Sequence, residues 1–398
     1  MNMEDTRFIK SIRLRNLLSF GPDSEPVELK PLNVLIGPNA SGKSNFIDAI
    51  SILQAAPRDI SMPLREGGGV REWIWKGKKK DDSADIETVF NLPAVEKSIC
   101  HFLSFSTLAE RLSIDTEIIT FEHPKDDNDF IFRYLPGRVE SKTRGLRELA
   151  YPITKHEFSK YNKSQSVFTQ LRDPLYYPEL SQIEVYLDGI KIYKYWDSGT
   201  YATIRSPQKT DYPGEFLLES MNNFAMIVHN LKERREIADI FKEKMQLFYH
   251  EFESIQTNII GGTIQVSIYE KGYKEPIPAT RLSDGTLRYL CLLLILCHPS
   301  PPPLICIEEP EIGLHPDILH TVAELLVEAS KRTQLIVTTH SDILVSALSE
   351  QPESILVCEH DEGGTHMKQL EQERLKEWLK KYSLGELWLR GQLGGVRW

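Results

Sequence analysis

The chain has 398 residues, 41% hydrophobic and 26% charged, enough for one large or two ordinary domains around a well-buried core. Its formal net charge of -10 argues against whole-surface attraction to nucleic acid or anionic membrane, while leaving room for a local basic patch. The longest apolar run, Leu290 to Cys297, is too short to span a bilayer, and the acid-bearing N-terminus lacks the apolar core of a signal peptide. Cys100, Cys291, Cys297, Cys306 and Cys358 are scattered without metal-like spacing. They read as small core hydrophobes of a reducing compartment, so the expected location is cytoplasmic with no membrane partner.

Residues 8–36 read as short strands, FIKSIRL, VELK and LNVLIG, divided by the turn-rich SFGPDSEP. The last strand runs into Gly37-Pro38-Asn39-Ala40-Ser41-Gly42-Lys43-Ser44-Asn45, whose first eight residues fit G-x-x-x-x-G-K-[ST]. A helix is predicted over 42–54 from the apolar stripe Phe46, Ile47, Ile50 and Leu53. Strand, loop and helix in that order build a phosphate cradle: loop N–H groups and the helix N-terminus face the anion. Lys43 supplies a mobile positive charge for the β- and γ-phosphates, and Ser44 a hydroxyl for Mg2+.

The region from about 90 to 260 is less regular. Residues 138–172 carry eight Lys/Arg against three Asp/Glu, interleaved with Tyr151, Phe158, Tyr161 and Phe168. That stretch is a candidate nucleic-acid contact, DNA or RNA, although solvated loops have the same composition. A second basic run, Lys76 with Lys78 to Lys80, is followed at once by Asp81 and Asp82 and reads as a solvated loop. Residues 183–196 suggest a hairpin turning at Asp188-Gly189, and 219–252 suggest helix.

From 263 onward strands and helices alternate: TIQVSIY, a helix over about 284–297, LICIEE, a helix over 316–330, QLIVTT and a helix from about 342. That alternation argues for a mostly parallel sheet in an α/β fold. Arg281-Leu282-Ser283-Asp284-Gly285-Thr286 precedes the first of these helices, where Ser283, Asp284 and Gly285 form either an anion site or a simple serine cap. The buried strand 304–307 ends on Glu308 and Glu309, at the sheet edge where ligands bind. Glu308 suits Mg2+ and Glu309 suits the attacking water, the alternative being a surface acid cluster. His340, after QLIVTT, is placed to reach a γ-phosphate or that water.

Taken in order, these motifs resemble the ABC-ATPase superfamily, in particular its RecF- and SMC-like branch. Residues 37–44 look like Walker A, 282–286 like the LSGGQ signature, 304–309 like Walker B and His340 like the H-loop switch. Glu311-Ile312-Gly313-Leu314-His315-Pro316 resembles the D-loop form of stand-alone members. The resemblance covers about 1–60 and 260–350; Asp284 and Thr286 depart from the signature, Glu308 replaces the usual Asp, and no Q-loop glutamine can be placed. Gln54 falls inside the helix after Walker A, and GGGVREWIWKG contains no Gln.

The resemblance implies ATP and Mg2+ as cofactors, with Glu309 and His340 as the catalytic pair. It also implies an ATP-dependent homodimer or higher even-numbered assembly, in which Ser283 of one copy meets the γ-phosphate held by Lys43 of the other. The expected organisation is an N-terminal half-head (1–90), an inserted compact α/β lobe (91–260), a C-terminal half-head (261–350) and a terminal hairpin, helix and tail (351–398). About 240 residues without heptads separate Walker A from the signature, which excludes a long coiled-coil arm. The 58 residues after His340 are too few for the Toprim nuclease domain of OLD-type proteins.

What remains resembles the small ATPases of bacterial phage-defence and abortive-infection systems, which work with a separately encoded effector; a DNA-maintenance role is the neighbouring expectation. A scaffold that uses ATP mainly as glue to hold an effector nuclease or toxin is the alternative. Trp388, Leu389, Leu393 and Trp398 read either as a docking peptide for the effector or as residues packed on their own domain.

Overall fold

The computed structural model describes residues 6–77, 82–93, 95–126, 129–136, 138–141, 161–232 and 234–395. Its centre is a six-stranded sheet in the order β17 (Gly364–Gln369), β16 (Ile355–Asp361), β3 (Leu32–Ile36), β15 (Gln334–Thr338), β14 (Leu304–Glu308), β9 (Lys191–Tyr193). From β16 to β9 all neighbours are parallel, and β17 closes one edge as an antiparallel hairpin. Every residue of β3 and β15 is buried, as expected of strands between two covered faces, and their polar members Asn33 and Gln334 are hydrogen-bonded to backbone.

Because side chains alternate across a strand, these central strands feed two separate cores. Leu304 and Cys306 of β14 join one, while Ile305 and Ile307 join the other. The first core packs α1 (Lys43–Ala55) against a seven-stranded antiparallel sheet. That sheet runs β2 (Val27–Glu28), β1 (Ile9–Arg15), β4 (Ser83–Phe90), β5 (Ile99–Leu108), β6 (Arg111–Phe121), β7 (Phe130–Leu135), β8 (Arg138–Ser141). Two short helices, α2 (Ser61–Glu66) and α3 (Val70–Trp73), lie between α1 and β4.

Residues 161–189 pass over this core. Glu117 on β6 is fully buried and accepts four hydrogen bonds: from Ser166 Oγ (2.6 Å), Val167 N (2.8 Å), Tyr161 OH (2.8 Å) and His101 Nε2 (3.1 Å). Those bonds pin the entry to α4 (Val167–Gln170) onto the sheet. Tyr161 and Phe168, two aromatics of the basic stretch, are therefore committed to the interior: Phe168 is fully buried and Tyr161 stacks on Tyr134. Tyr151, Phe158 and the rest of 142–160 lie outside the described residues.

The hairpin expected over 183–196 is instead α5 (Pro178–Gly189) followed by the short β9. Pro178 at the helix start and buried Leu180, Ile183 and Leu187 set a helical period that overrides the locally alternating IEVYL. Asp188-Gly189 ends the helix rather than turning a hairpin.

The second core lies on the opposite face of the parallel sheet and takes in α6 (Phe224–Lys232) and α7 (Arg235–Phe248). Beside them stands a four-stranded antiparallel sheet of β10 (Gln208–Lys209), β12 (Thr263–Glu270) and β11 (Phe252–Ile260), with β13 (Ile277–Pro278) paired to β12. α8 (Asp284–Leu296) is buried from Leu287 almost all round except Arg288, which explains its near-continuous leucines. α9 (Leu319–Ser330) and α10 (Asp342–Ala347) complete the layer.

The C-terminal segment forms α11 (Gln372–Leu379) and α12 (Leu384–Leu389). Leu387, Trp388 and Leu393 are buried on the chain's own core, and the Trp388 indole donates to Gly395 O at 3.1 Å. Leu389 remains exposed, and Trp398 lies outside the described residues. The longest described helix has 14 residues, so no long arm is present among the described residues, and none of these helices is long and apolar enough to cross a membrane.

Candidate active site

The loop between β3 and α1 closes on itself. Lys43 Nζ donates to Gly37 O and to Pro38 O, both at 2.9 Å. Gly37 has φ 148 and Gly42 φ 98, so both bends need glycine. At Gly37 a Cβ would meet Cys358 O at 2.3 Å, and at Gly42 it would meet Thr365 Oγ1 at 2.2 Å. The β16–β17 hairpin therefore braces the loop from behind, with Thr365 Oγ1 donating to Ser41 O (3.1 Å) and hydrogen-bonded to the Ser19 hydroxyl (2.7 Å). Asn39, Ala40 and Ser44 face solvent at the mouth, Lys43 is buried, and Asn45 follows in the first turn of α1.

Glu308 ends β14 next to Ser44, whose hydroxyl it engages. Burial holds its carboxyl above the usual range, against the opposing pull of Lys194. Lys194, just past β9, pairs with Asp48 of α1. Glu308 Oε1 is buried without a hydrogen-bond partner among the described residues. A buried orphan carboxylate oxygen beside a hydroxyl is a hard oxygen donor set that fits Mg2+. Among the described residues no group of three His, Cys, Asp or Glu is placed to hold a metal.

Glu309 adopts φ 47, a sparsely populated conformation for a non-glycine residue, and its N–H donates to Thr338 O at 3.0 Å. The bend turns its carboxylate toward His340, with Nε2 3.5 Å from Oε1. Glu311 holds the next turn: its Oε1 accepts from Thr339 Oγ1 and from His340 N, both at 2.7 Å. Burial pushes the Glu311 carboxyl above its usual value. Ser341 caps α10 by accepting from Leu344 N at 3.2 Å. The parallel sheet thus brings Lys43, Ser44, Glu308, Glu309 and His340 to one edge, at the C-terminal ends of β3, β14 and β15.

Ser283, Asp284 and Gly285 lie on a different support, after β13 and a turn of 3-10 helix at Ala279–Arg281. Ser283 caps α8, accepting from Thr286 N at 3.1 Å. A Cβ on Gly285 would come within 2.7 Å of Gly313 O, so the start of α8 is packed directly on the turn at 311–314. Arg288 of α8 ties the two together, donating to Ile312 O at 2.8 Å.

Three residues that sequence reasoning passed over belong to this region: Lys194, Trp196 and Arg205. Trp196 Nε1 donates to Glu308 O at 2.8 Å, and Arg288 donates to Trp196 O at 3.1 Å. The available signal was the KIYKYW run at 191–196, which the expected hairpin absorbed. Gln54 takes no part; its amide donates to Ile190 O and Glu219 Oε1, joining α1 to the start of β9. Lys76 pairs with Glu72, and Lys78 to Lys80 lie outside the described residues.

A parallel sheet with a P-loop, an acid-ended neighbouring strand and a histidine-ended strand between them is an ATPase head of the ABC and SMC type. The chain belongs to the family described as "AAA domain, putative AbiEii toxin, Type IV TA system", whose model matches residues 32–346. Among curated proteins it is similar to the "Old nuclease" of Escherichia phage P2, 28% identical over 183 residues. That match covers 43% of this chain and 30% of the nuclease, so it spans under a third of that relative's length.

Among solved structures it resembles the Smc head bound to the C-terminal winged-helix domain of ScpA. That likeness has TM-score 0.58 at 15% identity and covers 93% of this chain and 99% of that one. The Smc head derived from Pyrococcus furiosus, with an extended coiled coil and bound to the C-terminal domain of ScpA, gives TM-score 0.57 at 13% identity over 94% and 99%. At these identities the likeness is one of fold.

Proposed function

We propose that the chain binds and hydrolyses ATP in a composite site shared by two copies, each contributing its Ser283–Gly285 turn to the triphosphate held by the other. The observation that carries this reading is the meeting of the P-loop, Glu308, Glu309 and His340 at one edge of the parallel sheet, while the Ser283 turn hangs from a separate sheet.

In this reading the phosphates lie against the backbone N–H groups of Asn39 to Asn45 and the N-terminus of α1. Lys43 exchanges the carbonyls of Gly37 and Pro38 for β- and γ-phosphate oxygens. Ser44 and Glu308 would hold Mg2+, which when bound neutralises charge on the phosphate oxygens. Glu309 orients the attacking water and takes its proton, and His340 positions the Glu309 carboxylate or the γ-phosphate. Ser283 and Gly285 offer a hydroxyl and exposed N–H groups to the partner copy's γ-phosphate. The family description and the likeness to the Old nuclease support service in phage defence or DNA maintenance, with a separately encoded effector for the downstream chemistry.

The test is native mass and ATP turnover of wild type and Glu309→Gln, each with and without Mg-ATP. The variant is expected to lose about 10²–10⁴-fold in turnover, the usual worth of a general base, and to collect in an even-numbered ATP-dependent assembly. Wild type that binds ATP without turnover, in an assembly indifferent to nucleotide, would instead make the chain a scaffold.

A further inference from the structure

The departure of Asp284 from the signature poses a charge problem. If Ser283 and Gly285 meet a partner's triphosphate, a carboxylate between them repels it. The carboxylate is not alone, however. Arg205, on the short turn Thr203–Arg205, reaches it from below and pairs with Asp284 Oδ1. The Arg205 side chain is only 9% exposed, whereas that of Asp284 is 59% exposed.

The other donors of the guanidinium are spent on backbone. Nε donates to Ser198 O (2.9 Å) and Gly199 O (3.0 Å), and Nη1 to Leu282 O (2.6 Å) and Ala279 O (3.3 Å). Arg205 thus grips both ends of the turn that presents Ser283, and its remaining nitrogen faces the one acid at the start of α8. A rigid planar fork with five donors is suited to such a task, and a lysine is not.

We propose that Arg205 is a positioning residue for the composite site. It neutralises Asp284 and fixes the 279–284 turn so that the N-terminus of α8 accepts the γ-phosphate of the ATP bound to a second copy. The proposal rests on the shared-site reading above. An uncompensated unit charge about 6 Å from a phosphate changes affinity roughly threefold to hundredfold, depending on the local dielectric.

The experiment compares wild type, Asp284→Asn, Arg205→Met and the double variant as full chains. Two quantities are read: affinity of one protomer for a fluorescent ATP analogue, and the ATP-driven self-association constant at two salt concentrations. Arg205→Met is expected to keep protomer nucleotide affinity and to weaken ATP-driven association about tenfold or more. Adding Asp284→Asn should recover the electrostatic share of that loss, because the charge left bare is then gone, while the share due to the lost backbone bonds remains; a residue that only supports the fold would give no rescue at all.

Asp284→Asn alone leaves the guanidinium unopposed and should tighten association severalfold, with a steeper salt dependence. This arm stands even if Arg205→Met fails to fold, since Asp284 is mostly exposed. Association unchanged or weakened by Asp284→Asn overturns the assignment of Arg205 while leaving the shared site in place. Wild type that never self-associates with ATP overturns the shared site itself, and this assignment with it.

Discussion

The Glu117 hub gives a stability prediction whose size follows from its donors. Oε1 accepts from Ser166 Oγ and His101 Nε2, and Oε2 from Tyr161 OH and Val167 N. Burial, then the Glu117 carboxylate, push the Tyr161 phenol well above its ordinary value, so Tyr161 stays a donor. In Glu117→Ala all four donors lose their acceptor inside a sealed core, and removing one member of a buried pair costs about 3–5 kcal/mol.

Glu117→Gln is gentler for a specific reason. Its NH2 can take the Oε1 place, where the Ser166 hydroxyl can turn to accept and His101 can switch tautomer. The Val167 N–H, which cannot turn, then keeps its acceptor at the Oε2 place. The cost should fall to about 1–3 kcal/mol, the penalty of one poorly satisfied group. Urea unfolding should therefore rank wild type, Gln and Ala in that order, and amide exchange across 161–170 should quicken most in the alanine variant. Glu117→Ala within about 1 kcal/mol of wild type would refute the idea that this hub holds the segment down.

Two further changes test the site's frame. Gly37→Ala forces a Cβ against the Cys358 carbonyl at a φ of 148; strain of about 1–3 kcal/mol should lower nucleotide affinity roughly tenfold to hundredfold in equilibrium binding. Wild-type affinity in that variant would show that the loop does not need its brace. Glu311, raised by burial, is neutral more readily in the fold than in the unfolded chain, so its contribution to stability falls as pH climbs from the ordinary carboxylate value through the raised one. Glu311→Gln keeps an acceptor for Thr339 and His340 but cannot ionise, and should lose less melting temperature than wild type between pH 5 and pH 8 without nucleotide; parallel profiles would contradict this.

What the sequence disclosed was what local pattern encodes. The largely apolar runs 32–36, 304–307 and 335–337 read as strands covered on both sides, and the residues proposed for the chemistry follow each run. The P-loop was legible because glycines, lysine and serine must stand in fixed order for a backbone to wrap a phosphate. The antiparallel sheet was less legible: β1 pairs with β4 some 70 residues later, and nothing local announces such a partner. The region 183–196 was misread because its middle alternates while its outer residues keep a helical period, and packing of Leu180, Ile183 and Leu187 decided in favour of the helix.

The site-region residues missed share one cause: their partners lie far away in sequence. Lys194 is a basic residue among others until β9 pairs with β14 and sets it beside Glu308 and Asp48. Arg205 is unremarked until its turn meets 279–284. Their positions connect the two halves of the proposed mechanism. Contacts run from Asp48 to Lys194, from Trp196 to the Glu308 carbonyl, and from Ser198 through Arg205 to Asp284. The phosphate end of this route is braced by the β16–β17 hairpin, while the other end rides on a separate sheet. A segment of a dozen residues thus touches both Glu308, the acid proposed for Mg2+, and the turn proposed to meet a partner's triphosphate.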